Sequence, residues 1–333
     1  MTSPESLPQT ATAFWAVAPG RGALRTENLA SAQPGFATVR SLYSGISRGT
    51  EALVLRGDVP ESEYSRMRAP LQAGDFPFPV KYGYASVGQV EEGPEALIGQ
   101  KVFCLHPHQD RYLAPADLLL PLPEGLPARR AVLGANMETA VNALWDSGLC
   151  LGDRVAVVGG GVVGCLVARL AATLAGTAVW LIDANPAKAE VATALDLPFL
   201  APQEALERLR NACDLVVHAS GSPSGLPPCL ELAGFEATVL ELSWYGAKDV
   251  PLPLGQDFHA KRLRLISSQV GQVSPARRAR RSHRDRLTLA LALLCDPLFD
   301  ALLDGEIAFA DLPETMARLA AGEAALCRVV RYD

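Results

Sequence analysis

The sequence lacks paired cysteines and any excess of positive charge. Its seven cysteines are scattered over 333 residues with no C-x-x-C motif, so neither a disulfide framework nor a thiolate zinc cluster is indicated. We expect reduced thiols in a cytoplasmic protein. Lys and Arg number 30 against 36 Asp and Glu, a net charge of −6, which argues against nucleic-acid or membrane binding, since both need a positive field. Small molecules are the expected partners.

A targeting segment, internal repeats and low-complexity regions are also missing. Residues 1–6 have neither the basic region nor the apolar core of a signal peptide. The apolar stretch 155–182 is as long as a membrane span, but glycines and Arg169 interrupt it, so we predict two strands around a helix. The chain is 49% apolar and long enough for two domains.

A glycine-rich segment predicts a dinucleotide site. Gly159, Gly161 and Gly164 have the G-x-G-x-x-G spacing of a strand–turn–helix unit. In such a unit the first glycine allows a sharp turn, the second lets the backbone approach the pyrophosphate, and the third lets the helix pack on the strand. The phosphates would contact the N–H groups that open the helix, those of Val162 and Val163. A glycine-rich turn with no nucleotide is the alternative.

A carboxylate after the next predicted strand favours NAD(H). Residues 179–182 indicate that strand, and Asp183 follows it, where a carboxylate accepts both hydroxyls of the adenosine ribose. The same carboxylate would repel a 2′-phosphate, and Ala184 and Asn185 supply no cation, so NAD(H) is expected over NADP(H). Lys188 is either a counter-argument or a further ribose contact.

The remaining pattern predicts a β-rich first part followed by an α/β parallel sheet. Strands are expected at 13–17, 37–44, 85–90, 101–105, 214–219, 238–242 and 263–268. Ligands of such sheets bind outside the carboxyl ends of the strands. The candidate cofactor contacts that follow these strands are Ser220, Ser243, Trp244, Ser268 and Gln269.

Several polar residues admit two interpretations. The six arginines within 276–286 indicate a solvated helix end, with an anion site as the alternative. Glu138 is expected to be an early-helix carboxylate favoured by the helix dipole, or else a buried acid. His218 ends a buried strand and is expected in the core or at the cofactor edge. Cys165 is expected to be a small packing residue of the helix.

A β-rich domain, a dinucleotide domain and a C-terminal return, in this order and size, resemble the medium-chain dehydrogenase/reductase superfamily, the relatives of zinc alcohol dehydrogenases. The glycine loop, Gly83 and its flanks, Pro115–Asp117 and Asp183–Pro186 carry the resemblance. The signature Ser-Gly-Ile-Ser-x-Gly-Thr-Glu at 44–51 resembles a subgroup without the cysteine ligand, including bacteriochlorophyllide-type dehydrogenases.

The resemblance implies a GroES-like β-rich catalytic domain, a Rossmann domain with a doubly wound parallel sheet inserted into it, and a homodimer joined through the nucleotide domains. The implied segments are 1–135 for the N-terminal part of the catalytic domain, 136–268 for the NAD-binding domain and 269–333 for the return to the catalytic domain.

Residues at the family's zinc positions argue against a metal. Ser47 stands at the place of a cysteine ligand, Tyr84 and Ala85 at that of a His-Glu pair, and Ala135 near a third ligand. These residues cannot bind zinc as thiolate, imidazole or carboxylate, so we expect no zinc.

Other family positions are retained. Arg48 matches an arginine that pairs with the cofactor pyrophosphate, and Thr139 matches a residue that packs on the nicotinamide. Gly49 replaces the hydroxyl of the alcohol proton relay.

Two sets of residues are candidates for catalysis without zinc, because hydride transfer to a carbonyl requires a donor for the developing oxyanion. Tyr84 is the first, assisted by Ser47; alternatively it fills the vacated metal pocket. His106 and His108 are the second, with Asp110 as orienter. These two histidines otherwise form a satisfied loop pair, or a metal site with Asp110.

The resulting expectation is a zinc-independent NAD(H)-dependent oxidoreductase that interconverts an alcohol and a carbonyl. A reductase of activated carbon–carbon double bonds, in quinones or enones, is the alternative within enzymes. A non-catalytic NAD(H)-binding sensor is the alternative from another class, since the zinc ligands and the relay hydroxyl are replaced.

Overall fold

A computed structural model describes residues 10–30 and 33–333 of the chain. The signal-peptide expectation concerns residues 1–6 and lies outside them. The chain divides into two compact units, unit 1 comprising Met1–Gly134 with Asp304–Asp333 and unit 2 comprising Ala135–Leu303. The functional domain limits inferred from the resemblance stay a prediction.

The strands of the described residues lie in three sheets. In chain order they are β1 (Thr10–Ala18), β2 (Arg21–Asn28), β3 (Phe36–Ile46), β4 (Ala73–Gly74), β5 (Val80–Lys81), β6 (Ser86–Glu92), β7 (Lys101–Cys104), β8 (Arg111–Pro115), β9 (Leu120–Pro121), β10 (Arg154–Val158), β11 (Ala178–Ile182), β12 (Phe199–Leu200), β13 (Cys213–His218), β14 (Ala233–Glu241), β15 (Arg264–Ser267), β16 (Leu303–Ala308) and β17 (Cys327–Arg331).

The α-helices of the described residues are fewer and mostly belong to unit 2. In chain order they are α1 (Arg48–Arg56), α2 (Ala128–Ala131), α3 (Gly134–Ser147), α4 (Val162–Ala172), α5 (Lys188–Ala194), α6 (Pro202–Leu209), α7 (Leu226–Leu232), α8 (His283–Leu293) and α9 (Leu312–Ala320). Within the part of the chain that the structure describes, no helix is both long and apolar enough to cross a membrane.

Unit 1 is built on two largely antiparallel sheets. One has the order β2-β1-β5-β4, and the other has the order β16-β17-β3-β6-β7-β9, with β8 also paired to β3. Strand β3 is central, because β17 pairs along one part of it and β6 and β8 pair along others. Most residues of β3 are therefore buried. The alternating sequence of this strand predicts burial of every second residue only. Val39 packs in the core with Val90, Val102 and Tyr112.

Unit 2 contains the predicted parallel sheet. Its six strands have the order β12-β11-β10-β13-β14-β15, and all of their pairings are parallel. Val155, Ala156 and Val157 of β10 are completely buried, as continuous apolar strands of parallel sheets are. The chain passes from β10 outward to β12 and then returns to β13, so the strand order reverses between β10 and β13. Dinucleotides bind at the carboxyl ends of strands at such a reversal.

The arginine-rich segment 276–286 overlaps the start of α8, which begins at His283. Ser282 caps this helix, since its hydroxyl accepts the Asp285 N–H (3.1 Å) and the Asp285 carboxylate accepts the Ser282 N–H (2.8 Å). The predicted solvated helix end holds for five arginines and is wrong for Arg286, which is 1% exposed. The exposed ones are Arg277, Arg278, Arg280, Arg281 and Arg284.

Candidate functional site

The glycine loop of unit 2 has the predicted strand–turn–helix form. Gly159 has a φ of 117°, which residues with side chains rarely adopt. A Cβ atom on Gly164 would lie 1.9 Å from the carbonyl oxygen of Gly159, so α4 packs on the turn at a distance that only glycine allows. A Cβ atom on Gly161 would meet no atom within 4 Å. The loop is therefore tight on the protein side and open on the side where a phosphate would approach.

The start of α4 offers unpaired N–H groups to an anion. Val162 and Val163 open the helix and are half-buried, and the first helical bond runs from the Cys165 N–H to the Gly161 carbonyl (2.9 Å). N–H groups ahead of that bond have no partner within the helix. Cys165 is completely buried and burial raises the pKa of its thiol to about 12, so it packs as a neutral side chain, as predicted.

Asp183 lies against the glycine loop. Its carboxylate accepts the Gly160 N–H (2.6 Å) and the Asn185 N–H (2.7 Å), one on each oxygen. A carboxylate oxygen has two acceptor positions, so each oxygen keeps one for a ribose hydroxyl. The Lys188 side chain passes the same turn, because its Cβ and Cγ lie 3.2 Å from the Cβ position of Gly160. Asp183, whose charge favours NAD(H), and Lys188, whose charge would favour NADP(H), therefore both lie beside Gly160.

Three of the predicted cofactor contacts already make hydrogen bonds within unit 2. The Ser268 hydroxyl donates to Asp146 on α3 (2.6 Å), and the Thr139 hydroxyl donates to the Ala135 carbonyl of the same helix (3.0 Å). Thr139 therefore presents its methyl group, as packing on a nicotinamide would require. Ser243 accepts the Gly221 N–H with its hydroxyl (3.1 Å).

His218 lies at the end of β13, completely buried. Its Nδ1 is 2.9 Å from Glu241 Oε2 and its Nε2 is 2.7 Å from Ser220 Oγ. The Tyr245 hydroxyl donates to the same carboxylate (2.9 Å). Sequence reasoning named Ser220 and Ser243 and placed His218 in the core, but it missed Glu241 and Tyr245, which join them into one polar group.

Glu138 and Arg286 form a buried ion pair in unit 2. Arg286 Nε donates to Glu138 Oε1 (3.0 Å), and the guanidinium also donates to Asn142 and to the carbonyl oxygens of Val270 and Gln272. Burial raises the pKa of Glu138 above its ordinary value, although the charge and hydrogen bonds of Arg286 oppose this. Glu138 lies beyond the first turn of α3 and is buried, so its interpretation as an early-helix carboxylate is wrong and the alternative of a buried acid holds. The pair joins α3, α8 and the loop after β15.

Tyr84 of unit 1 has its hydroxyl in hydrogen bonds with the side chains of Ser47 and Thr50. Burial, followed by the negative charge of Glu51, raises the pKa of Tyr84 to about 12. The hydroxyl is therefore a neutral donor at physiological pH. The two loops that carry Tyr84 and Ser47 meet, which is the condition on which the catalytic hypothesis for this pair depends.

A buried chain of hydrogen bonds supports the Ser47 side of this arrangement. The Glu51 carboxylate accepts the Ser47 N–H (2.7 Å) through one oxygen and contacts His108 Nε2 (2.8 Å) through the other. His108 Nδ1 is 2.7 Å from Ser44 Oγ, which in turn is 2.9 Å from the Tyr332 hydroxyl. Glu51 and His108 are 2% and 1% exposed. Because Glu51 bonds to both residues, it links His108 to the backbone of Ser47.

The two histidines of the loop after β7 have separate environments. His106 stacks on Tyr112 with ring centroids 3.7 Å apart and contacts its own loop through the Pro107 carbonyl oxygen (2.9 Å). Burial lowers the pKa of His106 to about 3, which makes it a poor proton donor. Asp110 accepts the Thr12 N–H (2.8 Å), and the carboxylate on His108 is Glu51. The expectation of Asp110 as orienter is thus wrong.

The residues at the family's zinc positions do not suit the metal. Ser47 and Tyr84 present hydroxyls that bond to one another, and Ala85 and Ala135 are buried methyl groups. Among residues 10–30 and 33–333, no group of three or more His, Cys, Asp or Glu side chains is arranged to hold a metal ion. Arg48 opens α1 and is exposed.

Comparison with known proteins gives one related sequence and several related folds. No family model matches the chain. An uncharacterized zinc-type alcohol dehydrogenase-like protein of Haemophilus influenzae is 26% identical over 147 residues, which span 42% of this chain and 42% of that protein. The chain therefore matches less than half the length of this curated relative.

Solved dehydrogenase structures match nearly the whole chain. A putative zinc-binding dehydrogenase of Sinorhizobium meliloti bound to NADP has a TM-score of 0.79 at 18% identity, with 97% of this chain and 100% of that chain covered. L-idonate 5-dehydrogenase of Escherichia coli has a TM-score of 0.80 at 16% identity, with 97% and 98% covered. A short chain alcohol dehydrogenase of E. coli complexed with NADH has a TM-score of 0.76 at 14% identity, with 97% and 100% covered.

At these identities the structural likeness establishes the fold. The GroES-like and Rossmann fold class is confirmed, and together with the related sequence it confirms the predicted resemblance: the chain has the fold of the medium-chain dehydrogenase/reductase superfamily and is similar to its zinc-type alcohol dehydrogenase-like members.

Proposed function

We propose that the protein is a zinc-independent, NAD(H)-dependent oxidoreductase that interconverts an alcohol and a carbonyl. The observation that carries the proposal is the glycine loop with Asp183 beside it, open towards a phosphate and holding two unused acceptor positions. Solved relatives in fold have NADP or NADH bound, which supports a nicotinamide cofactor for this chain.

Unit 2 would hold the cofactor through its backbone and a few side chains. The N–H groups of Val162 and Val163 would bind the pyrophosphate, Asp183 the adenosine ribose, and Thr139 would pack its methyl group on the nicotinamide. Arg48 keeps the role that the resemblance implies, that of a guanidinium for the cofactor pyrophosphate. The bound cofactor supplies or accepts the hydride.

Unit 1 would supply the proton donor. A carbonyl that receives hydride develops negative charge on its oxygen, and a positioned donor stabilises this charge. Tyr84 is a phenol with a pKa of about 12, so it donates without competing ionisation near neutral pH. Ser47 and Thr50 hold its hydroxyl, while Glu51 and His108 hold Ser47. His108 is in this proposal a positioning residue, and His106 a packing residue.

Independence of zinc follows from the donor set at the family's metal positions. A catalytic zinc needs three protein ligands of thiolate, imidazole or carboxylate type. Two neutral hydroxyls and two methyl groups stand there instead, and the phenol occupies the role that a Lewis acid would otherwise fill.

Replacing Asp183 by alanine is expected to weaken NADH binding by roughly 100- to 10,000-fold and to leave NADPH binding unchanged or improved. The reason is that two charge-assisted hydrogen bonds to the ribose are lost, each worth about 1.5–3 kcal/mol at most, together with a repulsive charge near a 2′-phosphate. Fluorescence titration of both nucleotides measures the effect, with the exposed Glu190→Gln on α5 as a charge-matched control. An equal loss for both nucleotides would contradict the assignment of Asp183.

We also propose a homodimer formed through unit 2. Strand β15 ends the parallel sheet and pairs on one side with β14 in the described chain, so its other edge offers backbone groups to a second copy. Light scattering after size-exclusion chromatography is expected to give twice the mass of the 333-residue chain. A monomer at micromolar concentration would contradict this.

Two alternative functions would use parts of the same site. A reductase of quinones or enones requires the same cofactor and donor, so only the substrate distinguishes it. A sensor of the NADH/NAD ratio would retain the glycine loop and Asp183 without turnover. Titration of the purified protein with NADH and NADPH, followed by fluorescence, tests the part that all three share. We expect saturable binding with NADH preferred, and absence of binding of either nucleotide would overturn the proposal.

A further inference from the structure

The proposed function assigns no role to His218, which is buried, or to Glu241, which is half-buried, in unit 2. They belong to a group at the carboxyl ends of β13 and β14 that we name the His218 cluster: His218, Ser220, Glu241, Ser243 and Tyr245. His218 is 0% exposed, whereas Ser220 is exposed. The cluster therefore connects a buried imidazole to a hydroxyl at the protein surface.

Glu241 fixes the tautomer of His218. It accepts the Ser243 N–H (2.6 Å) and the Tyr245 hydroxyl (2.9 Å), and it contacts His218 Nδ1 (2.9 Å). Burial acts to raise the pKa of Glu241, but the hydrogen bonds and charge of His218 and the bonds from Ser243 outweigh it, and the pKa lies below its ordinary value. A carboxylate only accepts hydrogen bonds, so Nδ1 carries a proton and Nε2 is the ring nitrogen that faces Ser220.

Protonation of His218 decides what Ser220 offers to a ligand. Ser220 Oγ accepts the Ser222 N–H (3.1 Å) and contacts His218 Nε2 (2.7 Å). A hydroxyl has one proton and two lone pairs. With neutral His218 the proton goes to Nε2, and Ser220 presents a lone pair outward. With His218 protonated, Nε2–H fills the second lone pair, and Ser220 presents its proton outward.

Ser220 lies beside the phosphate turn. A Cβ atom on Gly159 would be 2.6 Å from the Ser220 nitrogen, so the backbone after β13 packs directly on the first glycine of the loop. This is also where the strand order reverses, the place where dinucleotides bind in such sheets. A donor hydroxyl at this position suits a phosphate oxygen, which can only accept.

We propose, resting on the function proposed above, that His218 is a positioning residue for the dinucleotide: in its protonated form it turns the Ser220 hydroxyl towards a phosphate oxygen. The phosphate charges favour the imidazolium, and Glu241 already faces its other side. Binding therefore takes up a proton from solvent. Of the other titratable groups around this pair, Tyr245 and Cys229 stay neutral, because burial and then the charge of Glu241 raise the pKa of each.

Calorimetric titration of the full-length protein with NADH tests the proposal. Measured at one pH in buffers of different ionisation enthalpy, it gives the protons taken up per NADH bound. We expect uptake approaching one proton at alkaline pH. The Kd there should rise about tenfold per pH unit, the limit for one linked proton.

Three variants separate the cluster from its surroundings. His218→Asn should abolish the uptake and make the Kd independent of pH. Ser220→Ala removes the hydroxyl of an exposed residue together with its contacts to His218 and Ser222, and it should weaken binding and reduce the uptake. His259→Asn alters an exposed histidine of the same unit and should behave as the wild type.

The failures of the two proposals are distinguishable. The role of His218 would be overturned if the wild type bound NADH without taking up a proton. It would also be overturned if both His218→Asn and Ser220→Ala retained the uptake. Either result would leave the oxidoreductase proposal standing. Absence of binding of both nucleotides would overturn the proposed function itself.

Discussion

Replacing Arg286 by methionine is expected to lower the free energy of unfolding by about 3–5 kcal/mol, because it leaves the Glu138 carboxylate buried without its partner. Asn142 and the carbonyl oxygens of Val270 and Gln272 lose their donor at the same time. Chemical denaturation followed by fluorescence measures the loss. The exposed Arg280→Met in the same segment should change the free energy by less than about 0.5 kcal/mol.

The pH dependence of this loss has a definite sign. Without Arg286 the pKa of Glu138 rises further above its unfolded value of about 4.3, so the folded variant binds the proton more tightly than the unfolded one. Its stability is retained below pH 4 and falls as the pH rises towards the folded pKa. We therefore expect a larger deficit at pH 8 than at pH 5. The double variant with Glu138→Leu should recover much of it, since no unpaired charge remains. An additive double variant, or a deficit independent of pH, would contradict the ion-pair account.

Replacing Tyr84 by phenylalanine is expected to lower kcat for carbonyl reduction by about 100- to 10,000-fold, the range that a general acid contributes. The Kd for NADH should not change, since Tyr84 belongs to unit 1 and the nucleotide contacts of unit 2 stay intact. Single-turnover oxidation of bound NADH measures the effect. Tyr82→Phe provides the matched control, because its ring lies 5.8 Å from that of Tyr84 and it has no assigned role.

A pH profile adds a readout that a structural role of Tyr84 would not move. The pKa of about 12 means that the donor stays protonated through neutral and moderately alkaline pH. Reduction by the wild type should therefore show no loss of rate from ionisation of Tyr84 between pH 7 and 10. An alkaline fall that disappears in Tyr84→Phe would show a phenol of low pKa and contradict the proposed environment. Unchanged turnover in Tyr84→Phe would remove Tyr84 as the acid.

The parts of the fold that follow from local pattern could be predicted from the sequence. The glycine spacing predicts the backbone of the loop. Only glycine suits the turn at Gly159 and the contact between Gly164 and the Gly159 carbonyl oxygen. The continuous apolar runs of β10 and β13 indicate buried parallel strands. The first residue of α8 was harder to predict from the sequence. Its capping pair, Ser282 and Asp285, lies within an arginine-rich stretch whose charge indicates exposed residues and gives no sign of a helix start.

The side-chain clusters could not be predicted because their members are far apart in the chain. Glu138 and Arg286 are 148 residues apart, and each in isolation looks like an ordinary surface charge. His108 meets Glu51 across 57 residues, while the nearer Asp110 bonds to the backbone of β1. In the His218 cluster, Ser220 and Ser243 had a sequence signal in their position after a strand, and His218 in its position at the end of one, whereas Glu241 and Tyr245 had none. Which carboxylate meets which base is set by tertiary packing.

Hydride transfer from NADH without zinc is tested by turnover of the metal-analysed protein. The chelator-treated protein is mixed with NADH and a panel of aldehydes, ketones, quinones and enones, and NADH oxidation is followed by absorbance. We expect oxidation of NADH by an aldehyde or ketone, with no zinc in stoichiometric amount and no gain in rate when zinc is added. Activity that requires added zinc, or tight NADH binding with no turnover of any panel member, would contradict it.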